Sequence, residues 1–490
     1  MLVTDALLMD YKRCQRRAFL NQYGEPLERR PERDFLLKLR QESLKHIHDV
    51  LANQFPAHQE PQTPIADWQG RSVETQALMA QGVSCIYRGF LSHQLPTPFD
   101  QDPLQLLGHP PLLVKISGRS RWGNWQYMPV SIQLGRRPKP EYKILAAFYA
   151  QLLAVHQGEL PRQVHIILRR QNLYQVDLTE WLPRFHQTLA DCVQTLADQA
   201  EPEVFISRQR CNLCHWYDHC YSLAQSQQHL SLVPGVTPSR YESLQTLGVM
   251  TIPSLAQLQA AQVADLMGLA IAKQLQMQAL AMVENRAMLK PSKRYFPLPQ
   301  APVELYFDIE AEPERNLDYL LGVIVVDRQQ GTEQFYGFLA QTPDQEADIW
   351  HDFITLTQQY PHAPIYHFSD YERETIKRLA KLYGTPRQLQ EQLLSQCVDL
   401  HYHVVDQVIC PVESYSLKAL ASWLGFKWRD AMASGDQSVC WYDSWLTSGD
   451  CQFLDLILRY NEDDCRATLI LKDWLHHFLA AELAVLDANA

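Results

Sequence analysis

A run of apolar residues ending in two carboxylates at alternate positions constrains this chain most: Leu305-Tyr306-Phe307-Asp308-Ile309-Glu310. The side chains of a strand alternate between its faces, so Asp308 and Glu310 share one. The nearly unbroken apolar run before them is that of a central strand covered by helices on both sides. Carboxylates at the end of such a strand are costly unless paired, solvated or metal-bound. A second pattern follows some 150 residues later, Tyr460-Asn461-Glu462-Asp463-Asp464. On a helix Tyr460 and Asp464 stand one turn apart and face the same cleft, while Glu462 and Asp463 fall toward flanking faces. Taken alone, Asp308 serves equally as a turn cap, with Glu310 in solvent beside Glu312 and Glu314. Taken together, the two patterns offer the carboxylates of a two-metal phosphodiesterase site, and oxygen-only ligands suit magnesium or manganese.

At 490 residues the chain is too long for one hydrophobic core, so two large domains and a small connector are expected. Its 46% apolar and 20% charged content is that of a globular protein, and no run reaches the apolar length of a membrane span. The start, Met1-Leu2-Val3-Thr4-Asp5, reaches Lys12-Arg13 too soon for a secretory leader, which points to the cytoplasm. Eleven cysteines in a reducing compartment are ligands or buried thiols rather than a disulfide framework. Cys14 and the set Cys211-x2-Cys214-x5-Cys220 have a spacing suited to a metal or an iron–sulfur cluster, and the ligand count admits zinc equally. Cys85 and Cys192 fall outside that spacing and read as core.

The fold class is α/β with a small helical domain between two larger ones, and the boundaries fall at 1–225, 226–290, 291–302 and 303–490. In the first segment, helices are expected at 32–54, at 72–92 running into a strand, and at 141–156, with strands at 112–117, 126–134 and 163–170. Residues 226–290 are short helices punctuated by Gly235, Pro234 and Gly248, similar to a helix-hairpin-helix unit or a plain helical connector. Pro291, Pro297, Pro299 and Pro302 mark a linker. Beyond it, strands at 303–309, 319–327 and 333–339 precede helices at 344–359, 371–381, 386–395, 415–424 and 452–477, an order that fits an RNase H-like layer.

The net charge of -11 argues against nucleic-acid binding by the whole surface. Locally the balance reverses. Between Lys115 and Arg170 stand ten Lys and Arg residues against Glu141 and Glu159, interleaved with Trp122, Trp125 and Tyr127. Arg119, Arg121, Arg136, Arg137, Lys139 and Lys143 are the candidate phosphate contacts, the alternative being an ordinary solvated face. Lys418 and Arg466 are further candidates for the nucleic-acid backbone, or surface residues.

The C-terminal motifs resemble those of the DEDD 3′–5′ exonucleases, in the variant with a tyrosine four residues before the last aspartate. Asp308-Ile309-Glu310 matches the first motif and Tyr460-x3-Asp464 the third. Where the family has Asn-x3-Phe-Asp, this chain has His367-x3-Tyr371-Glu372, so the resemblance puts Glu372 in the aspartate's place, with Asp370 as its rival and Asp399 and Asp463 as possible support. It implies two Mg2+ or Mn2+ ions on Asp308, Glu310, Glu372 and Asp464, with Tyr460 orienting water or phosphate.

The spread of one early and three late cysteines looks like the iron–sulfur staple of RecB- and Cas4-like nucleases of the restriction-endonuclease-like PD-(D/E)XK class. That implies a [4Fe–4S] cluster on Cys14, Cys211, Cys214 and Cys220. The family's catalytic acids and lysine are replaced: His109-Pro110-Pro111 follows Gly108, and Ser131 and Gln133 stand where an acid and a lysine are expected. Glu74 and His48 are remnants or packing residues. The resemblances together imply a catalytically degenerate N-terminal binding platform and a C-terminal metal-dependent 3′–5′ exonuclease acting on single-stranded or frayed DNA. A non-catalytic binding protein and an RNA exonuclease are the alternatives.

Overall fold

The run from Val303 to Glu312 becomes the central strand of a five-stranded sheet in the computed structural model, which describes residues 1–95, 103–291 and 295–488. The chain divides into two compact units, Met1–Tyr221 and Ser222–Ala490.

In the second unit the strand order is Thr332–Leu339, Leu317–Asp327, Val303–Glu312, Ile365–His367, Cys397–Asp399. The first three are antiparallel, and the last two run parallel to the centre. Alternation along the central strand sends Leu305 and Phe307 into one core, where Phe307 stacks on Phe353 at 4.6 Å. Tyr306 goes to the opposite core and stacks on Tyr366 at 5.4 Å. Both faces are therefore covered, and each fully buried aromatic stabilises the sheet by about 1.5–3 kcal/mol. Helices Glu346–Gln358, Asp370–Leu382, Arg387–Gln396 and Leu417–Trp423 lie where periodicity predicts them, and Gln452–Ala488 starts where expected but continues past residue 477. The three-residue strands and the helices Leu400–Gln407 and Gly435–Ser448 were not anticipated. Three residues are too few to show a period.

The stretch expected as a separate connector belongs to this unit. Helix Leu269–Glu284 is tied down by Gln278, whose Nε2 donates to the Cys410 carbonyl at 2.7 Å, and Met288–Leu289 pairs with Val408–Ile409. Nor is the proline-rich segment a free spacer over its described residues: Leu298 is buried, the Phe296 amide donates to Gln407 Oε1 at 2.7 Å, and the Tyr366 hydroxyl donates to the Pro299 carbonyl.

The first unit holds a sheet in the order Cys85–Tyr87, Leu112–Ser120, Gly123–Ile132, His165–Ile167, Leu173–Gln175. Gly123–Ile132 and His165–Ile167 are parallel and are joined by helix Pro140–Gln157, apolar on most sides and buried along most of its length. A smaller sheet pairs Leu104–Gly108 with Leu2–Thr4 and Leu91–Leu95. The helix expected over 72–92 is Trp68–Gln81, because Gly82 at φ 73° takes the left-handed conformation that ends it. The strand expected over 163–170 stops at Ile167, where a turn with positive φ at Arg170 and Gln171 begins. No helix among the described residues is long and apolar enough to cross a membrane.

Candidate active site

Asp308, Glu310 and Asp464 bring one carboxylate oxygen each within 4.8 Å of one another. The strand supplies the first two from a single face, and helix Gln452–Ala488 supplies the third. Their neighbours come from far along the chain. Asn461 is fully buried, and its Nδ2 donates to Asp308 Oδ2 at 2.8 Å. It fits there because Gly322, the residue opposite Asp308 in the sheet, has no side chain: a Cβ at 322 would stand 1.6 Å from Asn461 Oδ1. Trp428 Nε1 donates to Asp464 Oδ1 at 2.8 Å, and the Tyr460 hydroxyl is hydrogen-bonded with the same carboxylate. Ser438 bonds both Glu310 and the Tyr319 hydroxyl, the latter at 2.7 Å.

Crowded carboxylates in a buried site resist ionisation. Burial, and then the charges of Asp464, Glu310 and Glu372, hold Asp308 well above the usual range; burial and Asp464 do the same to Glu310. Burial pushes Asp464 up to about 7, against the opposing hydrogen bonds from Trp428 and Tyr460 and the charge of Lys418. Tyr460 is likewise held far from ionising by burial and by the acids around it. The sign for stability follows. Between about pH 4 and pH 7 the folded metal-free protein keeps a proton on Asp464 that the unfolded chain has released, so this group's contribution falls as pH rises through that window. Thermal scans of metal-free wild type and Asp464→Asn from pH 5 to 7.5 should show the wild type losing stability relative to the variant. Parallel curves would remove the assigned titration.

Glu372 is buried in the first turn of helix Asp370–Leu382. Ser369 Oγ donates to its Oε2 at 3.2 Å, and His367 Nδ1 lies 3.6 Å from that oxygen. Burial works against the His367 imidazolium, but contacts with Cys397 and Glu372 outweigh it and lift the ring to about 10. Glu372 itself is raised by burial, eased by His367 and Ser369. The turn is strained, with Ser369 at φ 118°, and Asp399 braces it by accepting the Ser369 amide at 3.1 Å and the Tyr402 amide at 3.2 Å. Asp370 is exposed at the helix start, outside the trio. Asp463 is also outside it, because its oxygens accept from the Arg429 amide at 2.9 Å and Arg429 Nε at 2.8 Å. Of the four sequence candidates for the middle or supporting acid, Glu372 is the one whose charge reaches Asp308, and Asp399 acts through the Ser369 turn.

Residues 305–476 match a family model of the RNase H superfamily. The C-terminal domain is RNase H-like. Members of this fold generally use two divalent metals, and the match spans the trio, Glu372 and Tyr460. No curated protein matches the chain. The sequence assigns no supporting role to Asn461, Trp428, Ser438 or His367, although Asn461 and His367 stand within the motifs; nothing local marks Trp428 or Ser438.

Arg466 is occupied, its guanidinium reaching Glu462 at 2.9 Å and Glu333 at 2.8 Å. Lys418 is exposed, with Nζ donating to the Ala433 carbonyl at 2.8 Å.

In the first unit Cys14 caps helix Gln15–Tyr23, accepting the Arg17 amide at 3.4 Å, and Cys211 accepts the Ser207 amide at 3.3 Å. Cys14 lies within electrostatic reach of Cys211, Cys214 and Cys220, and all four are free thiols. Burial raises the thiols of Cys211 and Cys214, and pushes Cys220 up to about 11. Tetrahedral zinc needs thiolates about 3.8 Å apart. No three of these sulfurs gather within 4.8 Å. The cations of Arg16 beside Cys220 and of Arg17 and Arg30 beside Cys214 suit the negative charge of thiolate ligands.

The basic stretch divides. Arg119, Arg121, Arg136, Arg137 and Lys139 are exposed. Lys143 is half-buried between Tyr174 and Trp181, at 5.0 and 4.9 Å from their ring centres, and reads as packing rather than a free phosphate contact. Lys115 lies over Trp125, Arg121 donates to the Val155 carbonyl, and Arg169 pairs with Glu42, so much of this charge is satisfied within the protein. Ser131 is buried on its strand, and Glu74 accepts the Gln62 and Thr63 amides at 2.8 Å, shaping a turn.

Proposed function

We propose that the chain is a metal-dependent 3′–5′ exonuclease that hydrolyses single-stranded or frayed DNA. The observation that carries this reading is the gathering of Asp308, Glu310 and Asp464, with Glu372 in charge contact and Tyr460 hydrogen-bonded to Asp464, inside an RNase H-like domain. When bound, two Mg2+ or Mn2+ ions supply Lewis-acid activation of water and charge stabilisation at the departing oxygen. Asp308, Glu310, Glu372 and Asp464 are the residues that hold them. Asn461, Ser438 and Trp428 fix three of these carboxylates before substrate arrives, so little reorganisation is left for the reaction. Tyr460 stays protonated at neutral pH, donates its one O–H to Asp464, and orients the attacking water through its phenolic oxygen as an acceptor. The 3′–5′ polarity rests on the likeness of the motifs.

The N-terminal unit, in this reading, is a RecB/Cas4-like platform stapled by a [4Fe–4S] cluster on Cys14, Cys211, Cys214 and Cys220. Its exposed Arg119, Arg136, Arg137 and Lys139 contribute affinity for the strand, and hydrolysis belongs to the C-terminal domain. The test is cleavage of 5′-labelled DNA and matched RNA in Mg2+ and in Mn2+. Progressive shortening of DNA is expected; faster loss of RNA would shift the substrate, and no cleavage of either in both metals would leave a binding protein.

The cysteine assignment has its own check. Anaerobically purified protein should be brown, with about four irons per chain, whereas colourless protein with one zinc would replace the cluster. Cys214→Ala should lower the stability of the first unit and its DNA retention, because a cluster joining residue 14 to 211–220 closes a very long loop. Cleavage per folded molecule should stay near wild type.

A further inference from the structure

We propose that Lys418 is a catalytic residue of the RNase H-like domain, its ammonium contacting a non-bridging oxygen of the scissile phosphate; the assignment rests on the nuclease reading above. The cations around the carboxylates are mostly spent. Arg429 is held by Asp463 and Glu462, Arg466 by Glu462 and Glu333, and Arg378 by Asp318 and Glu346. Lys418 differs. Its Nζ meets a neutral carbonyl, Ala433 O at 2.8 Å, and the face of Trp428 at 5.5 Å, and no carboxylate among the described residues forms an ion pair with it.

The same indole fixes its place relative to the acids. Trp428 presents its ring to the Lys418 ammonium and its N–H to Asp464 Oδ1 at 2.8 Å, so one rigid side chain spaces the cation from the carboxylate. Lys418 is exposed and its charge reaches Asp464, so the cation lies beside the acids and open to solvent. A carbonyl and an aromatic face hold an ammonium without neutralising it, leaving donors for an anion.

A phosphodiester arrives with one negative charge and gains a second in the pentacoordinate transition state. Water oxygen bonds to phosphorus, the bond from phosphorus to the leaving 3′-oxygen breaks, the water's proton passes to solvent, and the leaving oxygen is protonated from solvent. Lys418 exchanges no proton. A charge already in place costs no reorganisation as the anion develops, and one preorganised contact of this kind is worth about 10²–10³ in rate.

The test uses the full-length chain with an end-labelled strand in Mn2+. Lys418→Ala should lower kcat by about 10²-fold, with KM and the Mn2+ midpoint moving by no more than about threefold. Lys418→Arg, which restores a cation, should recover to within about tenfold of wild type. Calorimetric binding of a deoxynucleoside 5′-monophosphate should weaken in Lys418→Ala. The defect should persist on thymidine 5′-p-nitrophenyl phosphate, whose leaving group needs no help; a defect confined to ordinary strands would place the charge at the leaving oxygen and overturn the assignment. Cleavage by Lys418→Ala within about twofold of wild type would overturn it as well. So would a loss that follows the Mn2+ midpoint alone, since Lys418 would then act through Asp464. A wild-type chain that cleaves nothing would overturn the nuclease reading and this role together, which separates that failure from a failure of Lys418 alone.

Discussion

Asp308→Asn and Asp464→Asn should each lower cleavage by on the order of 10³-fold or more while the protein stays folded and, without metal, becomes more stable. Asparagine keeps the volume and removes the charge. At position 308 its side-chain oxygen can still accept from Asn461 Nδ2, so the packing around the strand survives. The gain in stability has the same origin as the loss of activity. Burial and neighbouring acids oppose ionisation of Asp308 and Asp464, so the folded metal-free site holds protons that the unfolded chain releases, a cost that a neutral asparagine does not carry. A relief on the order of 1 kcal/mol raises Tm by about 2–4 °C in a domain of this size. Adding Mn2+ should then stabilise wild type more than either variant. Thermal scans with and without Mn2+, run beside the cleavage assay, check both halves. Wild-type cleavage by both variants would mean that the active site lies elsewhere.

Gly322→Ala should be the most damaging small substitution in the sheet. It should cost about 2–3 kcal/mol and most of the activity, although position 322 carries no functional group. The added methyl would meet Asn461 Oδ1 at 1.6 Å, between a central strand and the helix packed on it, and Phe335 closes the other side at 3.2 Å. Asn461 must swing away, and Asp308 loses its donor. The mechanism makes a further demand. In an Asn461→Ala background the clash is gone, so Gly322→Ala should cost at least about 1 kcal/mol less there, while cleavage stays low because Asp308 remains unsupported. Denaturant unfolding of the four proteins of this cycle measures the coupling. Additive costs would show that the damage does not pass through Asn461.

The reading of the carboxylates from sequence depended on local periods. Two residues along a strand and four along a helix are distances that the backbone imposes, and Asp308, Glu310 and Asp464 do meet. The rival reading of Asp308 and Glu310 as a cap and a solvated acid is not what the structure shows, since neither is exposed. The choice between Asp370 and Glu372 lay beyond sequence because both fall in one helical turn. The phase of helix Asp370–Leu382 against the sheet decides it, leaving Asp370 outside and turning Glu372 inward. The basic stretch misled in part for a related reason: a run of Lys and Arg counts charges but does not reveal that Lys143 lies between two aromatic rings or that Arg169 has Glu42.

By itself, then, the sequence determined which side chains share a face: the acids on the central strand, Tyr460 with Asp464, and the apolar stripes that bury both sides of the sheet. Only the tertiary structure decided which faces meet. Asn461 against Gly322, Trp428 against Asp464, Ser438 against Glu310 and Ser369 against Asp399 join residues tens to more than a hundred positions apart. A local period extends over a few residues, because it comes from backbone geometry. Contacts at that separation come from the closure of the whole chain around its cores, which no local pattern encodes.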